Sequence, residues 1–128
     1  MIVLDASVIV AYLDGEDEHH ERAEQLFTEE IDDDFGANSL TLAEVFVGPA
    51  RADRLDEART ALRDLEVEEI PFPDDTAIKL ATLRAATGLK MPDCCVLLAA
   101  EHVRGRVATF DTRLARAAST RNLETVNH

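Results

Sequence analysis

The chain opens with an unbroken apolar run, Met1-Ile2-Val3-Leu4, through which no polar residue alternates. A strand with one wet face alternates; a strand without alternation is covered on both faces. This restricts the chain to architectures with layers above and below a sheet. Asp5 ends the run, and Ala6-Ser7 separates it from a second apolar group, Val8-Ile9-Val10. A carboxylate there loses hydration that apolar neighbours cannot replace, so it requires an ion pair, hydrogen bonds or a cation.

Strand-like and helix-like patterns alternate through the rest of the 128 residues. After "MIVLD", the stretch "SVIVAYL" reads as a short helix ending near Asp14-Gly15. "DEHHERAEQLFTEE" reads as a charged helix with Ala23, Leu26 and Phe27 inward. A brief strand at "DFGAN" leads into a helix "TLAEVFVG", stopped by Gly48-Pro49. Leu55, Ala58, Leu62 and Leu65 recur at helical spacing, "VEEIPF" is strand-like, and "DDTAIKLATLRAATG" is a helix with Gly88 as its stop. Pro92 opens the next helix, "MPDCCVLLAAEHV"; "RVATF" is a strand, "DTRLARAAS" a helix and "LETV" a closing strand. This alternation predicts an α/β fold, a three-layer α/β/α domain over residues 1–128 with a mainly parallel central sheet of about five strands. In such sheets ligands sit beyond the carboxyl ends of the strands.

Composition narrows the classes. At 46% hydrophobic residues the chain can build a core, and no apolar run approaches the roughly 18–20 residues of a membrane span. The amino terminus shows neither a basic region nor a small-residue cleavage site, so a soluble cytoplasmic protein without membrane attachment is expected. Cys94 and Cys95 are adjacent and poorly placed to bridge each other, so no disulfide framework is expected. The 26 acidic residues outnumber 13 basic ones, of which only Lys79 and Lys90 are lysines. An acid-rich, lysine-poor surface over an ordinary core resembles that of proteins from a salt-rich, halophilic cytoplasm, where self-repulsion is screened. The charge is uneven. Residues 1–75 carry 22 acids and 5 bases, whereas residues 76–128 carry 4 acids and 8 bases. Arg104, Arg106, Arg113, Arg116 and Arg121 could therefore form a local basic face for a polyanion.

Four carboxylates are expected at one edge. Asp5 ends the first strand and Asp111 follows "RVATF"; Glu44 is expected in the first turn of the helix after "DFGAN", and Asp93 begins a helix that runs back down to "RVATF". Each has a plainer reading: Thr41 to Glu44 fits a capping box, Asp111 an N-cap, and Asp93 a partner for a helix dipole. Asp5 is harder to explain this way, since Ser7 is available as a cap. Four acids on one edge repel one another unless a cation intervenes. Oxygen ligands with no histidine or cysteine among them suit Mg²⁺ or Mn²⁺ over zinc, and such sites are typical of phosphoryl transfer.

These residues carry a resemblance. "IVLDASVIVAYL", "SLTLAEVFVG", "LKMPDCCVLLAA" and "VATFDTRL", in this order, resemble the four blocks of the PIN-domain family, and in particular VapC-type toxin ribonucleases. The resemblance spans nearly the whole chain and implies the acidic set Asp5, Glu44, Asp93 and Asp111 as catalytic metal ligands, with Ser7 and Thr109 in support. It implies Mg²⁺- or Mn²⁺-dependent endoribonuclease activity on RNA, a VapB-type antitoxin as partner, and a homodimer. Leu114 stands where the family often has phenylalanine, and the acidic surface departs from its usual basic RNA-binding face.

Other classes fit less well. A receiver-like phosphoacceptor domain needs a lysine ending a late strand, and neither lysine lies near "RVATF". A haloacid-dehalogenase-type phosphatase needs an aspartate where Ser7 stands. A non-catalytic PIN-like RNA-binding or regulatory module is expected to lack one of the acids. His19 and His20 read as a solvated helix start, Cys94 and Cys95 as small core residues without a base to activate them, and Arg51, Arg54 and Arg59 as a salt-bridged helix face.

Overall fold

The structure is a computed structural model that describes residues 1–126. Eleven elements alternate as the sequence predicts, beginning with strand β1 (Ile2–Leu4), helices α1 (Ala6–Leu13) and α2 (His20–Glu29), and strand β2 (Phe35–Asn38). They continue with α3 (Ser39–Arg51), α4 (Leu55–Asp64), β3 (Val67–Ile70), α5 (Thr76–Thr87), α6 (Met91–Val103), β4 (Arg106–Ala108) and α7 (Thr112–Thr120). The four strands form one parallel sheet in the order β3-β2-β1-β4. The expected closing strand "LETV" is reduced to a single parallel bridge from Thr125 to Val107. Four strands plus that bridge stand where about five were expected.

β1 lies inside the sheet, with Ile2 and Val3 opposite Phe35 and Gly36 on one side and Arg106 and Val107 on the other. Its side chains split between two cores. Ile2 and Leu4 point into the layer of α1 to α4, with Leu26, Phe27, Leu42, Val45 and Leu62. Val3 points into the layer of α5 to α7, with Leu83, Leu97, Val107 and Leu114. This period-two alternation between two apolar layers explains why the strand shows no polar residue. α6 is buried from Cys94 through Ala100, as befits a helix apolar all round.

Backbone chemistry sets several boundaries. Gly88 terminates α5 with φ +70°, a conformation glycine adopts without a side-chain penalty. Pro92 lies in the first turn of α6, where its missing N–H costs nothing. α3 departs from expectation at both ends. It begins at Ser39, capped by Asn38, whose Oδ1 accepts from Thr41 N at 2.9 Å. It also runs through Gly48-Pro49 to Arg51. Pro49 removes one hydrogen bond, but the carbonyls of Gly48 and Pro49 accept from Ala52 N and Arg54 N just beyond, so the last turn persists.

Charged contacts tie the sheet's other edge. Arg106 donates to Glu30 at 2.9 Å and Asp33 at 3.0 Å, and Asp33 also meets the Met1 ammonium at 3.2 Å. The Arg106 hydrogen bond holds the Asp33 carboxyl below its ordinary value. Among the described residues no helix is long and apolar enough to cross a membrane.

Candidate active site

Asp5 follows β1 at the carboxyl edge of the sheet, and its backbone N–H donates to Ala108 O at 2.9 Å, extending the β1–β4 ladder. It is the N-cap residue of α1, its carbonyl accepting from Val8 N and Ile9 N, but its side chain makes no cap bond. Its side chain, 8% exposed, accepts at Oδ2 from Ser7 Oγ and Thr109 Oγ1, both at 2.7 Å. Hydrogen bonds of hydroxyls to an ionised carboxylate are short and roughly twice as strong as neutral ones. They explain how the end of β1 carries a buried acid with no cationic partner in ion-pair contact among the described residues. Both donors serve Oδ2, which leaves Oδ1 for another ligand. Ser7 Oγ in turn accepts from Phe110 N at 3.1 Å, and Thr109 Oγ1 accepts from Asp111 N at 3.0 Å. The two hydroxyls therefore lock the turn after β4 onto the end of β1.

That turn places Asp111 as the N-cap of α7, its Oδ1 accepting from Arg113 N at 2.9 Å. Asp93 lies in the first turn of α6 and is half-buried. Burial raises its carboxyl above the ordinary value, the charges of Asp5 and Asp111 add to the rise, and Lys90 and Arg113 oppose it. Asp5, Asp93 and Asp111 thus share one electrostatic field. Glu44 differs from expectation. Because α3 starts at Ser39, Glu44 lies in its second turn, exposed, and Asn38 rather than a Thr41–Glu44 capping box closes the helix. Its charge reaches Cys95, whose thiol is pushed up first by burial, then by Cys94 and Glu44. The side chains do not close further than this. Among the described residues, no three His, Cys, Asp or Glu side chains stand close enough together to hold a metal ion.

The donor set still suits a hard cation. It is all carboxylate and hydroxyl oxygen, Asp5 keeps Oδ1 for a ligand, and Asp93 carries a like-charge strain that a cation relieves.

The family model of the PIN domain matches residues 2–119. The chain belongs to the PIN-domain family. No curated protein matches this PIN domain significantly. Its fold is shared by solved structures of low identity. The toxin–antitoxin complex from Klebsiella pneumoniae is 23% identical with a TM-score of 0.74, covering 90% of each chain. FitAcB from Neisseria gonorrhoeae is 23% identical with a TM-score of 0.73, covering 99% of this chain and 97% of that one. VapBC2 from Rickettsia felis, bound to a fragment of its promoter DNA, is 17% identical with a TM-score of 0.71, covering 99% and 98%.

Several residues of this PIN domain carry more than the sequence signalled. Asn38, 1% exposed, also donates through Nδ2 to Thr41 Oγ1 at 3.0 Å, fixing α3 and with it Glu44. An asparagine ending an apolar strand is the signal that could have marked it. His19 and Arg22 pack on Phe110, the former 5.1 Å between ring centroids and the latter 4.6 Å from the ring centre. Nothing in sequence spacing links residues so far apart. His20 bonds Ala11 O at 2.8 Å and Glu24 at 3.3 Å, so it braces α2 against α1 instead of standing in solvent. Both cysteines are free, buried and raised by burial. Of the expected salt-bridged face only Arg54 pairs, with Glu57 at 2.8 Å; Arg51 and Arg59 form no ion pair among the described residues. The expected basic face is partly spent, since Arg106 and Arg121 pair with acids.

Proposed function

We propose that this PIN domain is a Mg²⁺- or Mn²⁺-dependent endoribonuclease, the toxin of a VapBC-type pair. The observation that carries this reading is the mutual field of Asp5, Asp93 and Asp111 at the carboxyl edge of the sheet, with Asp93 raised first by burial and then by the other two. Asp5, Asp93 and Asp111 would hold the cation, with Glu44 of α3 as the fourth acid of the set. Bound there, the ion supplies a polarised phosphate and an attacking water of lowered pKa.

The protein's own contribution is positional. Ser7 and Thr109 fix the Asp5 carboxylate from two sides, so it presents Oδ1 in one orientation. Asp111 is held by its cap bond to Arg113 N, which also brings a guanidinium-bearing residue beside the acids. A phosphodiester entering this edge meets carboxylates for the metal and cations for its own charge. A VapB-type antitoxin as partner and a homodimer complete the reading. The toxin–antitoxin descriptions of the similar folds support the antitoxin; the homodimer rests on the resemblance alone.

The spacing of the carboxylates favours one competing reading, a non-catalytic PIN-like RNA-binding module. One assay separates the two. RNA is incubated with the protein and Mn²⁺ or Mg²⁺ in concentrated KCl, with and without chelator, beside Asp5→Asn. Cleavage by the parent that falls at least 100-fold in Asp5→Asn and stops in chelator is expected, since loss of one preorganised charge typically costs that much. Equal cleavage in all three sinks the metal-nuclease reading, and binding without cleavage selects the module.

A further inference from the structure

A groove of about 670 Å³ runs between the end of α5, the loop into α6 and the length of α7. Ala86, Leu89 and Ala117 form an apolar wall, and Arg113, Arg116 and Arg121 line the polar side. Arg113 joins this groove to the carboxylate edge. It is two residues beyond Asp111, which accepts from its N–H, and its charge acts on Asp93.

The charge pattern of the groove is unusual for this chain. Acids outnumber bases two to one overall, yet no acid lines the groove. Arg121 is engaged by Glu101 at 2.7 Å. Arg113 and Arg116, both exposed, form no ion pair among the described residues. They stand three apart on α7, so they are neighbours on one face. Arg54, just ahead of α4, and Arg106, at the start of β4, are paired with carboxylates. Two unpaired guanidiniums beside an apolar wall offer what a single nucleotide presents, a phosphate and the flat face of a base. The volume suits a nucleotide, and Arg113 links the groove to the carboxylate edge.

We propose that this groove seats the nucleotide adjoining the scissile phosphate of single-stranded RNA, with Arg113 and Arg116 on its phosphates and the Ala86, Leu89 and Ala117 wall against its base. The inference rests on the nuclease reading for its direction, and the test keeps the two apart. Arg116 is a binding residue at a distance from the acids, so its loss weakens substrate without touching the chemistry.

Two measurements are made on the full chain. In the first, Asp5→Asn protein binds a fluorescein-labelled single-stranded oligoribonucleotide without metal across a salt series. Adding Arg116→Ala weakens binding about tenfold, as loss of one charge-assisted hydrogen bond does, and lowers the slope of log K against log salt by about 0.7. Adding Arg63→Ala, on α4 at the opposite end of the sheet, changes neither. In the second, Arg116→Ala in the parent raises KM about tenfold with kcat within twofold.

If Arg116→Ala and Arg116→Glu leave both KM and binding unchanged while cleavage persists, the groove assignment is overturned and the nuclease reading stands. If the parent cleaves nothing yet binding depends on Arg116, the groove stands and the nuclease reading falls. Equal displacement of RNA by poly-glutamate at matched charge also overturns the assignment, because it shows an acidic-peptide or unspecific anion surface.

Discussion

Asp5 is buried and Asp93 half-buried at the same edge, yet they answer burial differently. Asp5 receives two hydroxyl donors on one oxygen, so its charge is solvated by the protein itself. An amide oxygen accepts the same two bonds, so Asp5→Asn keeps the fold while removing the ligand charge; a circular-dichroism melt within about 2 °C of the parent checks this. Asp93 has no such donors, and burial with the charges of Asp5 and Asp111 raises its carboxyl above the ordinary value of 3.8. A group raised in the folded state contributes stability that is full below its unfolded pKa and is lost as pH rises through the folded one. At pH 7 in chelator Asp93 therefore works against folding. Asp93→Asn should raise the melting temperature there, with the gain fading below about pH 4. Divalent metal should stabilise the parent and not the variant. A lower melting temperature for Asp93→Asn in chelator shows that Asp93 is held by contacts that outweigh the repulsion. The acids themselves were legible because a polar residue in an apolar run is conspicuous. Their bonding was not, since Thr109 is 104 residues from Asp5.

Elements were legible where their pattern is local. α4, α5 and the buried α6 follow from apolar spacing and from Gly88 and Pro92. α3 was misjudged at both ends for a related reason: its cap is the last residue of the preceding strand, and its proline falls in a turn whose flanking carbonyls find donors beyond it. The shift of two residues at its start moves Glu44 from the first turn to the second. Packing between elements sets other limits. A Cβ on Gly105 would come within 2.6 Å of Met1 O, a backbone atom that accepts from Arg106 N. Gly105→Ala should therefore cost about 1–3 kcal/mol by forcing β1 and β4 apart, measured by urea unfolding. Gly15→Ala, where nothing lies within 4 Å, should change stability by less than about 0.5 kcal/mol. Equal effects at the two sites would show that the β1–β4 approach has room to relax.

For the whole molecule the governing quantity is a net charge of −13. Self-repulsion at this charge destabilises the compact state and is screened as the Debye length falls from about 8 Å at 0.15 M salt to about 3 Å at 1 M. The melting temperature should rise steadily with KCl over that range. A flat profile would mean that pairs such as Arg106 with Glu30 and Asp33 already balance the surface locally. Composition alone determined this charge and its concentration in residues 1–75. Unbroken apolar strands determined a sheet covered on both faces, and the order of strands and helices determined that Asp5, Asp93 and Asp111 lie toward one edge of it. Periodicity and composition are properties of neighbouring residues, so they survive in a sequence read alone. Tertiary structure decided how far apart the carboxylates stand, which hydroxyls hold Asp5, and which arginines remain unpaired beside them. Those depend on packing between segments a hundred residues apart, where a displacement of one helical turn changes which side chains can touch.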